Sequence, residues 1–314
     1  MLRIYDPAQL PWHWGEATLM LGMLRAAEVT DDARYSDFVV AWLNRHASRS
    51  PLILNPDFCL PAVSALLVYK KTKDEKYLRI AERTVKMIMK KFPRADDGTL
   101  YHIVPGQVWI DEVFMLTPLL AHFGVIAGRA EYIDEAIRQI FLVRGHTLDG
   151  ATGLSRHRWS AEDDTRSPAV WARGNGWVVM AIAEVLDVLP ADNERHDELV
   201  GELKSYVETL SRYQDASGLW HTVIDRSDSY LETSASAMFI VGFKKALKED
   251  WVSEKYRENL ERAIRGLISK IAEDGSIAGV SGPTNPGDFT HYQSIPIGEH
   301  PYGYGAVLLA LTRE

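Results

Sequence analysis

The sequence predicts an all-α fold, an (α/α)6 barrel with short hairpin-like loops at the end where its inner helices begin. Three observations carry that expectation. Apolar residues recur at helical spacing in pairs of segments. The two members of each pair differ in how charge covers them. The connections between pairs are long and repeat one kind of turn.

The first pair covers roughly Ala17–Ala27 and Ala33–Arg45, the second Pro61–Lys71 and Glu75–Phe92, the third Asp111–Ala127 and Glu131–Val143. The fourth covers Asn175–Leu189 and Asn193–Tyr213, the fifth Ser234–Lys248 and Ser253–Ala272, and a lone segment, Gly303–Leu311, closes the series. The first member of a pair is apolar almost all round, as in Trp177–Leu189, and such a helix must be buried. The second is charged on one face, as in Glu75–Phe92, and suits a covering position. Inner helices ringed by outer ones make a barrel; stacked linearly, the same pairs make an open solenoid. A sixth outer helix is missing, because residues 1–10 are short and interrupted by Pro7.

The connections favour the closed form. Asp97-Gly98, Asp149-Gly150, Asp215 through Gly218, and Asp274-Gly275 each lead from an outer segment into a short polar–apolar stretch suited to a strand or hairpin. His102, His157 and His221 stand at matching places in three of them. Long loops inside a compact domain are usually functional. No Pro- or Ser-rich linker divides the chain, so residues 1–314 are expected to form one barrel domain.

The net charge of −8 argues against a nucleic-acid-binding surface, while a local Arg can still hold an anionic small molecule. The lone Cys59 has no partner for an internal disulfide, and its apolar context suits an inert thiol. There is no apolar leader and no apolar run of transmembrane length, so a cytoplasmic protein without membrane contact is expected. Cys/His metal spacings, phosphate loops and Gly-x-Ser-x-Gly elbows are absent, so neither a metal nor a nucleotide cofactor is expected.

Three segments place polar groups at the starts of inner helices. In Asn55-Pro56-Asp57-Phe58, helix capping by Asn55 or Asp57 is the plain reading. In Trp109-Ile110-Asp111-Glu112, Asp111 opens a very hydrophobic helix. It either caps that helix or is a proton donor whose pKa its apolar surroundings raise, the more so with Asp57 nearby. In Trp171-Ala172-Arg173-Gly174-Asn175-Gly176-Trp177, two glycines, an Asn and an Arg between tryptophans suit a ligand wall better than a cap. His157 lies in a loop beside Trp159, where simple solvation is the alternative. Trp12, His13, Trp14 and Glu16 precede the first inner helix, with core anchoring competing against ring stacking; Glu232, Ser234 and Ser236 suit a cap.

The stretch Trp171–Trp177, with Trp109-Ile110-Asp111 and Phe114-Met115 before it, resembles the unsaturated glucuronyl and rhamnogalacturonyl hydrolases. These are glycoside hydrolase families 88 and 105, and the resemblance leans to the latter. It extends through Asp57–Tyr69, Pro93–His102, His157–Trp159, Glu232–Phe239 and Tyr302–Leu309. The resemblance implies an (α/α)6 barrel acting on oligosaccharides that end in a 4,5-unsaturated uronic acid, pectin-type disaccharides foremost. It implies hydration of the vinyl ether, with Asp111 protonating C4 and then assisting water at C5, and Asp57 in support. His157, Trp171 and Arg173 match substrate-site residues; His102 and Trp14 match less closely, and Asn175 and Trp177 belong to the same motif. Glu112, Ala62 and Ser160 depart from the family's usual residues. Two alternatives accompany this reading: an inverting glycosidase working through Asp57 and Asp111 or Glu112, and a non-catalytic helical sugar-binding scaffold.

Overall fold

The computed structural model describes residues 2–313. Its inner helices are α1 (Trp14–Thr30), α3 (Pro61–Thr72), α5 (Glu112–Ala127), α7 (Ala172–Leu186), α9 (Thr233–Lys248) and α12 (Pro301–Thr312). The outer ones are α2 (Ala33–Ala47), α4 (Glu75–Lys90), α6 (Ala130–Thr147), α8 (His196–Arg212) and α10 (Arg257–Ile268). A short α11 (Phe289–Ser294) lies in the connection to α12. Each inner helix packs on the next, and α12 returns to pack on α1. That contact closes the ring and excludes the open solenoid.

The α1–α12 seam depends on small residues. A Cβ placed on Gly22 would stand 2.6 Å from the carbonyl oxygen of Gly305, so the two backbones touch as only glycine permits. No outer helix covers α12 among the described residues. The segment ahead of α1 turns across the structure instead: the Tyr5 ring meets Tyr304 edge-on at 5.8 Å. Further on, the Leu10 carbonyl accepts from Trp42 Nε1 at 3.2 Å and Arg45 Nη1 at 3.1 Å. One hydrophobic core runs from Leu10 to Ala310. Each fully buried large apolar side chain in it contributes about 1.5–3 kcal/mol.

The repeated turns form, but with less sheet than expected. Gly98, Gly153, Gly218 and Gly275 adopt positive φ, the region that costs other residues most. Around three of them the pairing shrinks to single bridges, Arg94 with Leu100, Leu148 with Ser155 and Ile271 with Ile277. A three-stranded antiparallel sheet forms elsewhere, from β1 (Gln107–Trp109), β2 (Arg158–Ser160) and β3 (Thr165–Arg166). A second, two-stranded sheet pairs β4 (Val280–Ser281) with β5 (Ile297–Gly298).

Several boundaries move by a few residues, α7 for instance to Ala172–Leu186 and α10 to Arg257–Ile268. Helix α1 starts at Trp14 rather than beyond it, and α8 starts at His196 because Asn193 Oδ1 accepts the Arg195 amide and holds a turn. No helix among the described residues is long and apolar enough to cross a membrane.

Candidate active site

The sheet positions the site. Register pairs Val108 with Trp159 and Trp109 with Arg158, and the Ile110 amide then donates to the His157 carbonyl at 2.9 Å. Residues 46 positions apart in sequence are thereby clamped at the mouth of α5, with Asp111 and His157 side by side. His157 Nε2 lies 3.1 Å from Asp111 Oδ2.

Capping does not account for Asp111: its side chain makes no bond to the first turn of α5. Asp57 is likewise free. It sits in a 3-10 turn, Pro56–Phe58, that Asn55 caps by accepting the Asp57 amide at 3.0 Å. The Asp57 carboxyl is buried and faces His13 Nε2 at 3.8 Å and His102 Nε2 at 3.9 Å.

The expected pKa order of the two acids is reversed. Burial, and then the charge of Asp111, push Asp57 up to about 7. Burial also pushes Asp111 up, but the adjacent His157 and the charges of His102 and Arg173 outweigh it, and Asp111 stays below the ordinary carboxylate value. Apolar surroundings alone had suggested a raised Asp111. The polar partners come from loops distant in sequence.

His157 is fully buried, which overturns the solvated-loop alternative. Its ring stacks on Trp171 at 4.0 Å and meets the Trp109 edge at 5.6 Å, and its Nδ1 is 2.8 Å from the Tyr292 hydroxyl. Burial holds it below the ordinary histidine value. His102 is buried against Trp109, ring centres 4.4 Å apart, and burial lowers it to about 4. Its Nδ1 is 3.7 Å from Glu112 Oε1. Glu112 is buried, accepts the Trp109 amide at 3.2 Å, and is pushed well above the usual carboxylate range by that burial. Burial thus works against charge on His13, His102, His157 and Glu112 alike, and Asp57, at about 7, is the acid of the site held closest to neutral pH.

The Trp171–Trp177 segment is less exposed than a ligand wall would be. Arg173 is 1% exposed, and its guanidinium donates to Ser281 Oγ (2.5 Å) and O (3.0 Å), Gly282 O (2.7 Å) and Thr284 Oγ1 (3.0 Å). Its fork fixes the loop after β4. The Asn175 amide is also used internally: it accepts from Ser155 N (2.9 Å) and donates to Ser155 O and Trp171 O (both 2.9 Å). Trp177 stacks on Phe114 at 5.2 Å in the barrel core. Gly174 and Gly176 serve helix packing, since a Cβ on either would strike Ile110 (2.6 Å) or Met238 (2.8 Å). Of these side chains, Trp171 packs against the Asp111–His157 cluster, its ring stacked on His157 and on Tyr292. Trp14, half-buried, lies 4.7 Å from the Tyr302 ring beside His13.

Tyr292 was not legible. It enters from α11, whose Asp288 cap accepts the His291 amide at 2.8 Å. The Asp288-Phe289 start is a visible helix signal, but nothing local says that the helix folds back over His157. Glu232, read as a cap, does cap α9 through the Ala235 amide at 2.6 Å.

No group of three His, Cys, Asp or Glu among the described residues is arranged to hold a metal ion. A cavity of about 330 Å³ opens at the opposite end of the barrel, lined by Glu184, Asp187, Lys245 and Arg313 among others. None of the candidate residues lines it; the ionisable cluster of Asp57, Glu112, Asp111, His102 and His157 stands at the α5 mouth.

Comparison with known proteins agrees. The sequence profile of Glycosyl Hydrolase Family 88 matches residues 3–313. The chain is 27% identical over 281 residues to the unsaturated rhamnogalacturonyl hydrolase YesR of Bacillus subtilis (strain 168), covering 87% of this chain and 80% of that one. A crystal structure described as a possible member of the GH105 family, from Salmonella enterica serovar Paratyphi A, superposes with a TM-score of 0.91 at 32% identity, covering 96% of this chain and 82% of the other. A family 105 glycoside hydrolase from C. acetobutylicum ATCC 824 superposes with a TM-score of 0.88 at 27% identity, covering 96% and 93%.

Proposed function

The chain belongs to glycosyl hydrolase family 88, and on that premise we propose that it releases 4,5-unsaturated uronic acid from the non-reducing end of lyase-generated oligosaccharides, rhamnogalacturonan-type disaccharides foremost. The observation that carries the reading is the pair of buried carboxyls at the α5 mouth, Asp111 beside His157 Nε2 at 3.1 Å and Asp57 facing His102 Nε2 at 3.9 Å; burial and the charge of Asp111 push Asp57 up to about 7, which keeps a proton in the site near neutral pH.

The reaction follows from that proton. The enol ether of the unsaturated ring is electron-rich at C4, and proton delivery there leaves positive charge at C5, shared with the ring oxygen. Asp111 is the donor in this reading. The arriving uronate adds negative charge to the site and favours the protonated form of Asp111, with Asp57 as the source of the proton. The resulting Asp111 carboxylate, beside the cation, then takes a proton from water as its oxygen bonds to C5. The hemiketal hydroxyl proton passes to the ring oxygen as the C5–O bond breaks and C5 becomes a ketone; the C1 hemiacetal so formed then gives its hydroxyl proton to the aglycone oxygen as the C1–O bond breaks, leaving an aldehyde at C1 and the aglycone as an alcohol. Atoms balance with one water consumed.

His157 and Trp171 form the wall beside Asp111, His102 serves Asp57, and Trp14 offers a ring at the mouth. Arg173, Asn175 and Trp177 support that wall from behind. We place the whole chain in one catalytic domain, supported by its continuous core. A cytoplasmic location belongs to the same reading, supported by a single, buried, free cysteine.

The test is direct. Purified protein is incubated with defined unsaturated disaccharides, and loss of the enol-ether ultraviolet absorbance is followed. Turnover of an unsaturated galacturonyl–rhamnose disaccharide with loss of absorbance is expected. Release of sugar with the absorbance intact would instead identify a glycosidase acting at the anomeric carbon.

A further inference from the structure

We infer that Tyr292 is a positioning residue: it fixes the tautomer of His157 and so sets an N–H rather than a lone pair beside Asp111, a role that rests on the proposed reading of this site. The geometry around the phenol is the starting point. Its oxygen lies 2.8 Å from His157 Nδ1 and receives the Gly287 amide at 3.4 Å. An amide only donates, so Gly287 occupies a lone pair and leaves the phenolic hydrogen for His157. No other acceptor for that hydrogen is bonded to it among the described residues. Nδ1 is then the acceptor, and a neutral imidazole carries its hydrogen on Nε2.

Nε2 lies 3.1 Å from Asp111 Oδ2, and neither buried atom has a hydrogen-bond partner among the described residues. The opposite tautomer would set a lone pair against a carboxylate oxygen. It would also direct two N–H groups at one phenol oxygen and strand the phenolic hydrogen in a dry site. The contact lies off the line of an ideal hydrogen bond, as is common before substrate tightens a catalytic site. Ring rotation is not an escape, because His157 is held between Trp171 and the Trp109 edge.

Tyr292 is itself well held. It is fully buried, Phe289 of the same helix lies under the Arg226 guanidinium at 3.7 Å, and Gln293 donates to the Asp228 carbonyl at 3.0 Å. The Arg173 fork anchors the start of the loop at Ser281, Gly282 and Thr284. Besides Tyr292 itself, the charged and titratable groups around His157 are Asp111, Arg173, His291 and His102, and Tyr292 is the one bonded to Nδ1. The tautomer is therefore set by one hydroxyl that comes from 135 residues further along the chain. Orientation of an imidazole by a group behind it is worth on the order of tenfold or more in activity.

The experiment uses full-length protein with 15N-labelled histidine at neutral pH, the His157 signals being identified by their loss in His157→Gln. In the wild type, His157 is expected to show a bare Nδ1 and a protonated Nε2. In Tyr292→Phe, which keeps the ring and its stacking, that pattern is expected to give way to mixed tautomers. On the unsaturated galacturonyl–rhamnose disaccharide the variant's kcat should fall about tenfold with KM within about twofold. A wild-type His157 protonated on Nδ1 overturns the inference without any variant. So does a Tyr292→Phe protein that keeps both tautomer and kcat. The spectra need no substrate, so an enzyme inactive on every unsaturated disaccharide, yet with the expected wild-type tautomer, would refute the proposed function and leave the tautomer assignment standing.

Discussion

The Oδ2 atom of Asp111 lies 3.1 Å from Nε2 of His157, although Asp111 stands at the head of α5, where a carboxylate ordinarily turns back to cap the helix. That choice of partner separates function from stability. Replacing Asp111 by Asn removes no cap bond, so the melting temperature should stay close to wild type. Without a proton to give, kcat should fall by roughly 10²–10⁴-fold. Circular dichroism melting together with the absorbance assay checks both halves. An Asp111→Asn enzyme that retains full activity would remove Asp111 from the mechanism.

Asp57 makes stability depend on pH. Its folded pKa, about 7, lies above the 3.8 of an unperturbed carboxyl, so between those values the folded state binds more protons than the unfolded one. Stability therefore falls as pH rises from about 4 to about 7 and stays lowered above that. The penalty is roughly 4 kcal/mol at most, from about 1.4 kcal/mol per unit. Asp57→Asn should melt higher than wild type at pH 8 and nearly with it at pH 4. Glu16 rises to about 7 as well, so the comparison must be made between variant and wild type at each pH. Equal melting shifts at both pH values would show that Asp57 is not held protonated.

Arg173 separates a loop anchor from a substrate clamp. Its guanidinium is 3.7 Å from Glu232 Oε1, and both side chains are buried. Arg173→Met leaves that carboxylate without its cation and frees the loop that carries Tyr292. A loss of about 3–5 kcal/mol in chemical denaturation is expected, with activity falling as the loop loosens. A variant of wild-type stability with only a raised KM would place the guanidinium on the substrate instead.

The inner and outer helices were legible because burial of a whole helix demands apolar residues on every side, as in α5 and α7, while α4 shows its covering face as a charged stripe. The missing sixth outer helix was legible for a different reason, residues 1–10 being short and interrupted by Pro7. The roles within Trp171–Trp177 were harder to read. Arg, Asn and Gly are the same residues whether they meet a ligand or a neighbouring backbone, and only the fold shows that Ser155, Ser281 and Gly282 take their hydrogen bonds. The pKa order of Asp57 and Asp111 was hidden because His157 and His102 reach them through loops. Tyr292 was hidden most completely: its helix is six residues long, and its meaning lies in a contact that no local pattern encodes.

Gly174 offers the sharpest test of how the motif works. If it were glycine so that a ligand could approach the backbone, an added methyl would weaken binding and leave the fold unchanged. The structure places that methyl 2.6 Å from Ile110 Cγ2 and 2.9 Å from the Trp171 ring, well inside contact distance. Ile110 is the residue before Asp111, and its amide is bonded to the His157 carbonyl. Gly174→Ala should therefore push on the segment that sets the Asp111–His157 distance, costing about 1–3 kcal/mol of stability by overpacking. It should lower kcat more than it raises KM, because the displaced atoms are the reacting acid and its imidazole rather than a surface that only binds. Denaturation and steady-state kinetics on the same variant decide the matter: a raised KM at wild-type stability and kcat would return this glycine to the ligand.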